Sequence, residues 1–279
     1  MFCFKISNKT IITEFFIYVK RFYRFFALKE RTFSMDKNLS FSLDERLLTV
    51  ASLCPSGKAF ADIGTDHAMV PAFLIKKKNC PFGFASDINE MPLKKALSLT
   101  KKEGLEDKLS LFLFDGIPME ARNFAETIII AGLGGETIAK IVKDAPELWR
   151  EDVHFILQPM TKIERLRKEL SSLSFSLLKE VPCYSMGKSY SVMDWVFSKG
   201  SLQKSKDELF LMFGDYLTRE SLTKKDSQYL SFVFKKYERI LGGLLKSKEE
   251  KDRQKGKRLK ENLQKARESF KEKNFSEEK

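Results

Sequence analysis

Between residues 59 and 200 the apolar positions follow two alternating rhythms. Short, uninterrupted apolar runs occur at 59–63, 83–86, 109–114, 127–131 and 154–157. Between them, at 71–77, 92–103, 137–143 and 163–173, apolar residues recur at helical spacing. Strands that alternate with helices predict a parallel sheet. Strands apolar along their whole length predict helices on both faces. A further amphipathic helix is expected at 42–53, where Leu43, Leu47, Val50 and Ala51 share one face and Ser42 can cap. After Ser174 the rhythm changes. Runs at 175–181 and 190–197 flank a short loop holding Gly187, which predicts a hairpin and an antiparallel end to the sheet. From 201 onward the spacing is helical throughout. Leu209, Phe210, Phe213 and Leu217 form one stretch interrupted by Gly214, residues 229–245 a second and 246–270 a third. The last carries only a thin stripe of Leu259, Leu263 and Ala266. Too few apolar residues remain for a separate core, so a helical hairpin or coiled coil is expected.

Composition changes this picture at the ends. The chain has 279 residues, 43% hydrophobic and 32% charged, which excludes both wholesale disorder and a membrane bundle. Its net charge is +12, but residues 1–34 carry +5, residues 35–200 carry zero and residues 201–279 carry +7. A basic tail beside a neutral domain points to a polyanionic partner held by the tail. Residues 1–34 are rich in Phe, Tyr, Lys and Arg. The run from Phe15 to Val19 is too short to span a bilayer and no cleavage site follows. The expectation is an upstream extension, with Met35 beginning a domain over 35–200 and a basic appendage over 201–279. Four cysteines without a C-x-x-C pair fit a reducing, cytoplasmic setting. With only two histidines, no multi-histidine metal site is expected.

Ligands in an open parallel sheet bind outside the C-terminal strand ends. Here those ends are unusual. The first carries Asp62-Ile63-Gly64-Thr65-Asp66-His67, the second Asp87, the third Asp115-Gly116, the fourth Gly132-Leu133-Gly134-Gly135 and the fifth Gln158-Pro159. Gly64 permits a tight turn against a ligand. No phosphate-cradling G-x-G-x-x-G or G-x-x-x-x-G-K-[ST] is present, so a ligand without phosphates fits better. Asp87 stands where an acid accepts both hydroxyls of a ribose. Asp115 can accept from an adenine amino group, and reads equally well as an Asp-Gly turn. Asp66 can orient or deprotonate an amino group, or cap the next helix. His67 reads equally as a structural hydrogen-bonding residue. Asp62, Asp66 and His67 crowd one turn too tightly to converge on a metal. The fourth-strand glycines leave a bare floor for a flat base, or simply room for a helix start.

Together the strand inventory and these motifs resemble the class I methyltransferases, with a Rossmann-like sheet. Arg46-Leu47-x-x-Val50-Ala51, Asp62-Ile63-Gly64-Thr65-Asp66-His67 with Pro71, Asp115-Gly116, Ile130-Ala131-Gly132-Leu133-Gly134-Gly135 and Leu157-Gln158-Pro159 resemble the TrmK family. These are bacterial tRNA methyltransferases acting on N1 of adenine 22 with S-adenosylmethionine. The likeness runs from about Leu43 to Trp195, and Phe213-Gly214 extends it into the tail. The chain departs from the family pattern at Met69, Met91, Phe114, Leu133 and Ser191. The resemblance implies S-adenosylmethionine held by Asp62, Gly64, Thr65, His67, Asp87, Asp115, Gly116, Gly132, Gly134 and Gly135. It implies Asp66 as the catalytic residue, Arg46, Gln158 and Pro159 on the substrate side and tRNA as partner; no metal, no membrane and a monomer are also expected. Two other readings compete: the same fold acting on another RNA base, and a degenerate module that binds cofactor or RNA without turnover.

Overall fold

The computed structural model describes residues 39–199 and 207–274. The upstream extension and the boundary expected at 200 lie outside the described residues. Element order is α1 (Glu45–Leu53), β1 (Phe60–Ile63), α2 (Met69–Lys77), β2 (Gly83–Asp87), α3 (Glu90–Lys102), β3 (Leu109–Leu113), α4 (Met119–Phe124), β4 (Thr127–Gly134), α5 (Gly135–Lys143), a short 3-10 turn (Pro146–Leu148), β5 (His154–Thr161), α6 (Ile163–Ser172), β6 (Phe175–Ser185) and β7 (Lys188–Phe197). The tail forms α7 (Glu208–Phe213), a second 3-10 turn (Tyr216–Thr218), α8 (Lys224–Lys246) and α9 (Glu250–Asn274).

The seven strands lie in the order β3-β2-β1-β4-β5-β7-β6. The first five are parallel, and β7 runs antiparallel to both β5 and β6. Chain direction across the sheet reverses between β1 and β4, which makes their C-terminal ends the topological switch point. Ile128, Ile129 and Ile130 of β4 and Phe155, Ile156 and Leu157 of β5 are fully buried, as strands covered on both faces must be. The β6–β7 hairpin turns through Met186 and Gly187, with φ of 50° and 76°. Two successive left-handed residues match the twist of the strands they join.

Several elements differ from their expected limits for local reasons. α1 begins after Asp44, whose carboxylate accepts from the Leu47 N–H at 2.8 Å, so Asp44 rather than Ser42 is the cap. α4 has only six residues, too few to show a helical period. β4 and β5 run on to Gly134 and Thr161, because Gly134 still pairs with Thr161. The glycine segment and Gln158-Pro159 therefore lie inside strands instead of beyond them.

The tail also carries more core than its apolar pattern suggests. Phe213, Tyr216, Tyr229, Leu230, Val233, Phe234 and Tyr237 pack with Leu263 and Ala266 into a second apolar cluster. Each aromatic side chain buries a large area, so a few suffice where many aliphatics would be needed. A charged pair anchors this arm to the sheet. Arg167 and Glu180 are 2.5 Å apart with both side chains fully buried. Arg167 Nη1 also donates to the carbonyls of Leu211 (2.9 Å) and Met212 (3.3 Å). The Ser191 hydroxyl donates to Glu180 at 2.6 Å and lies 3.0 Å from the Tyr216 hydroxyl.

Candidate active site

At the end of β1 the chain makes a sharp turn that is tied to β2. The N–H groups of Gly64 and Thr65 both donate to the Ser86 carbonyl, at 2.8 and 3.0 Å. Gly64 has φ of +77°, a conformation that side-chain-bearing residues avoid. Ala68, at φ 54°, completes the turn into α2, and its N–H donates to the Thr65 hydroxyl oxygen at 3.2 Å. The cap position of α2 is thus Ala68, and Asp66 does not cap it. That removes the structural alternative for Asp66. Its side chain is exposed, 3.3 Å from His67 Nε2 and 4.0 Å from Lys95 Nζ on α3. Two cationic or proton-bearing neighbours hold an exposed carboxylate at the rim of the switch point.

Asp62 faces the opposite condition. Burial pushes its carboxyl up to about 6, opposed by a hydrogen bond with Thr65 and reinforced by the negative charge of Asp87. A buried carboxylate beside another acid is stabilised by an incoming cation.

The ends of β2 and β3 supply a half-buried acid and an apolar rim. Asp87 uses Oδ1 to accept from the Asn89 N–H at 2.8 Å. Its other carboxylate oxygen has no hydrogen bond among the described residues. Ser86 donates to the Gly116 carbonyl at 2.9 Å, which holds the Asp115-Gly116 loop against β2. Gly116 has φ of +94°, so this Asp-Gly pair is a turn, and Asp115 stands exposed on it. Ile88, Met91, Leu113, Phe114 and Met119 are all exposed around these ends. Motif spacing does not single out Ile88, Leu113 or Met119. A signal for two of them exists, since Ile88 follows the acid that ends β2 and Leu113 closes β3. Exposed apolar residues flanking two carboxylates suit a flat heterocycle joined to a polyhydroxylated ring.

Across the switch point, β4 presents bare backbone. Gly132 has φ of +85° and donates its N–H to Gln158 Oε1 at 3.1 Å. Arg46 Nη1, reaching over from α1, donates to the same oxygen at 2.8 Å. Gln158 Nε2 donates to the Pro159 carbonyl at 3.0 Å. Gln158 is fully buried with its amide taken up by Gly132, Arg46 and the Pro159 carbonyl, so its side chain is not exposed as the substrate contact expected of it would be. Pro159 is buried in β5 beside it. A Cβ on Gly135 would strike the backbone carbonyls of Lys162 and Thr161, so only glycine lets β4 and α5 approach β5 this closely. Among the described residues, no group of three or more His, Cys, Asp or Glu could hold a metal.

An open α/β sheet with its cleft at the switch point, a glycine turn after β1, an acid ending β2 and a closing antiparallel hairpin define a class I methyltransferase. Residues 43–193 match the family model of a methyltransferase domain. The tRNA (adenine(22)-N(1))-methyltransferase of Bacillus subtilis is 31% identical over 205 residues, covering 71% of this chain and 85% of that protein. The crystal structure of that B. subtilis enzyme, TrmK, superposes with a TM-score of 0.70 at 27% identity, over 82% of this chain and 98% of that one. The TrmK of M. capricolum, solved with S-adenosyl-homocysteine, superposes with a TM-score of 0.65 at 26% identity, over 82% and 97%. The chain belongs to the TrmK family.

S-adenosylmethionine is its cofactor, and the residues present fit it. Asp87 offers a free acceptor, Gly64 and Gly132 leave backbone open to close approach, and Asp62 gains from a cation beside it.

Proposed function

We infer that the protein methylates N1 of adenine 22 in tRNA, acting as a monomer in the cytoplasm. The carrying observation is the set of groups gathered at the carboxyl ends of the parallel strands. Two acids and an apolar rim stand at the ends of β2 and β3, exposed Asp66 follows β1 within 4.0 Å of Lys95 on α3, and β4 brings its glycines to the same end of the sheet.

The cofactor supplies a methyl group on a positively charged sulfur. Asp87 would accept from the ribose hydroxyls through its free oxygen, and Asp115 from the adenine amino group. Asp62 and the Gly64 turn would hold the cationic methionine part. N1 of adenine carries an in-plane lone pair, so no activated side chain is needed as nucleophile. The protein's part is alignment, a contribution worth roughly 7–11 kcal/mol in favourable cases. Gln158 fixes Gly132 and Arg46 and so shapes the floor on which the target base lies. The methylated base is a cation. Asp66, steadied by His67 and Lys95, offsets that charge or accepts a proton from the amino group at N6. A base inside folded RNA must leave its stack, at a cost of a few kcal/mol. Contacts between the basic arm and the RNA backbone offset that cost.

Asp66→Ala separates binding from turnover. Cofactor affinity measured by calorimetry should stay within about threefold of wild type. Methyl transfer to bulk tRNA, followed with a tritiated cofactor, should fall by about 100-fold or more. Normal turnover in this variant would remove Asp66 from the reaction.

A further inference from the structure

A cavity of about 490 Å³ opens between the end of β5, the start of β7 and α8. It belongs to neither the β1–β2 turn nor the apolar rim. We propose that it is a nucleotide-binding subsite, which takes an RNA residue flanking the methylated adenine with its base against Phe232 and Tyr190 and its phosphate on Lys235 and Arg239. This rests on the reading of the protein as a tRNA methyltransferase and adds to it a place where the RNA is gripped.

Position is the first argument. Thr161, on the cavity wall, pairs with Gly134, so the cavity adjoins the glycine floor of β4. In the sheet, β5 lies on the side of β4 away from β1 and β2. An adenine lying over β4 would therefore have its cofactor on one side and this cavity on the other. Taking one base out of its stack frees its neighbours, and a neighbour is what a subsite here would meet.

Lining chemistry is the second. Phe232, Lys235, Lys236 and Arg239 fall at i, i+3, i+4 and i+7 of α8 and so form one stripe. Phe232 is 45% exposed and Met160, across the cavity, 42%, leaving apolar surface open to solvent. Tyr190 stands half-buried beside them. Lys236 is held by Glu164 at 3.3 Å. Lys235 and Arg239 are exposed and have no acidic partner among the described residues. Aromatic and thioether surface edged by unpaired cations is how proteins hold single-stranded nucleotides. An acidic peptide would match the cations but leave the aromatic wall unused. The volume falls within the range of small-ligand pockets.

Assembly is the third. Sheet and arm both contribute walls, so the cavity depends on the contacts that fix the tail against β6 and β7, the Arg167–Glu180 pair and the Trp195–Phe210 ring contact among them. The arm thereby places a grip at a set distance from the reacting base.

Three measurements on the full chain test this. Phe232→Ala should raise KM for tRNA, or lower kcat/KM, by about tenfold while leaving cofactor affinity unchanged, and Phe232→Trp should restore it. Lys235→Glu with Arg239→Glu should weaken tRNA binding and reduce its log–log salt slope by about 1, for the one phosphate no longer neutralised. A photocrosslinking phenylalanine analogue at position 232 should attach to nucleotides adjacent to the methylated adenine. Cross-links confined to distant parts of the tRNA would overturn the proposal, as would unchanged KM and salt slope in an active enzyme. If wild type fails to methylate any tRNA, the functional reading has failed first, and the subsite falls with it.

Discussion

At the residue scale, Asp62 carries the clearest pH signature. Its carboxyl sits at about 6 in the folded protein, above the ordinary 3.8, chiefly because it is buried. A raised carboxyl means that the folded state holds the proton more tightly than the unfolded chain. The resulting stability is fully present below pH 3.8 and is lost as pH rises through 6. Asp62→Asn should therefore raise the stability of the ligand-free protein at pH 8, by at most about 3 kcal/mol, and change it little at pH 4. Denaturant titrations at the two pH values decide this. Cofactor affinity should run the other way. A cation beside Asp62 favours its ionised form, so wild-type affinity should climb as pH passes from 5 to 7 and flatten above. Calorimetry showing the same affinity at pH 5 and 8 would separate Asp62 from the cofactor. The same residue scale shows the limit of sequence reading. The positions of Asp62, Asp87 and Gly64 are legible because the end of an apolar run places each of them at the carboxyl edge of the sheet. Gln158 is not, since only the register of β4 against β5 brings its side chain onto Gly132.

At the element scale, the strands and their order of use can be read from apolar runs alone, and the helices between them from their period. The exception, α4, is shorter than two turns and has no period to read. The arm departs from expectation for a different reason. By number its apolar residues are too few for a core, yet Phe213, Tyr216, Tyr229 and Phe234 fill a cluster that aliphatics of the same number would leave open. Arg167 reads in sequence as an ordinary charge on α6. Its burial depends on Glu180 of β6 and the carbonyls of α7, which no local pattern announces. Arg167→Met leaves Glu180 buried and unpaired, and should cost about 3–5 kcal/mol in chemical denaturation. Adding Glu180→Leu should recover much of that loss, because a matched apolar pair leaves no charge stranded. Gly214 offers an independent check. It has φ of +69°, and a Cβ there would run into Glu180 and Arg167. Gly214→Ala should lower stability by a similar amount and loosen the arm, seen as faster hydrogen exchange in α8.

At the scale of the whole molecule, the charge of +12 is unevenly spread, with +7 of it on residues 201–279. The catalytic portion is neutral, suited to a cofactor that brings its own positive charge. The basic residues of the tail stand on an arm with its own core, fixed to the sheet through a buried ion pair. Cutting the arm away would expose Arg167 and Glu180, so charge reversal on α9 is the cleaner perturbation. Reversing Lys257, Lys260 and Lys271 should weaken tRNA binding and flatten its salt dependence while sparing cofactor binding. An unchanged slope in filter-binding assays would assign the RNA contact to another surface.

The central claim is the identity of the methylated atom. The full chain should be incubated with tRNA lacking the modification and with S-adenosylmethionine, and the product digested and mapped by mass spectrometry. The account predicts one new 1-methyladenosine, at position 22. Methyl groups on another base or another adenine atom, or none on any tRNA, would contradict it.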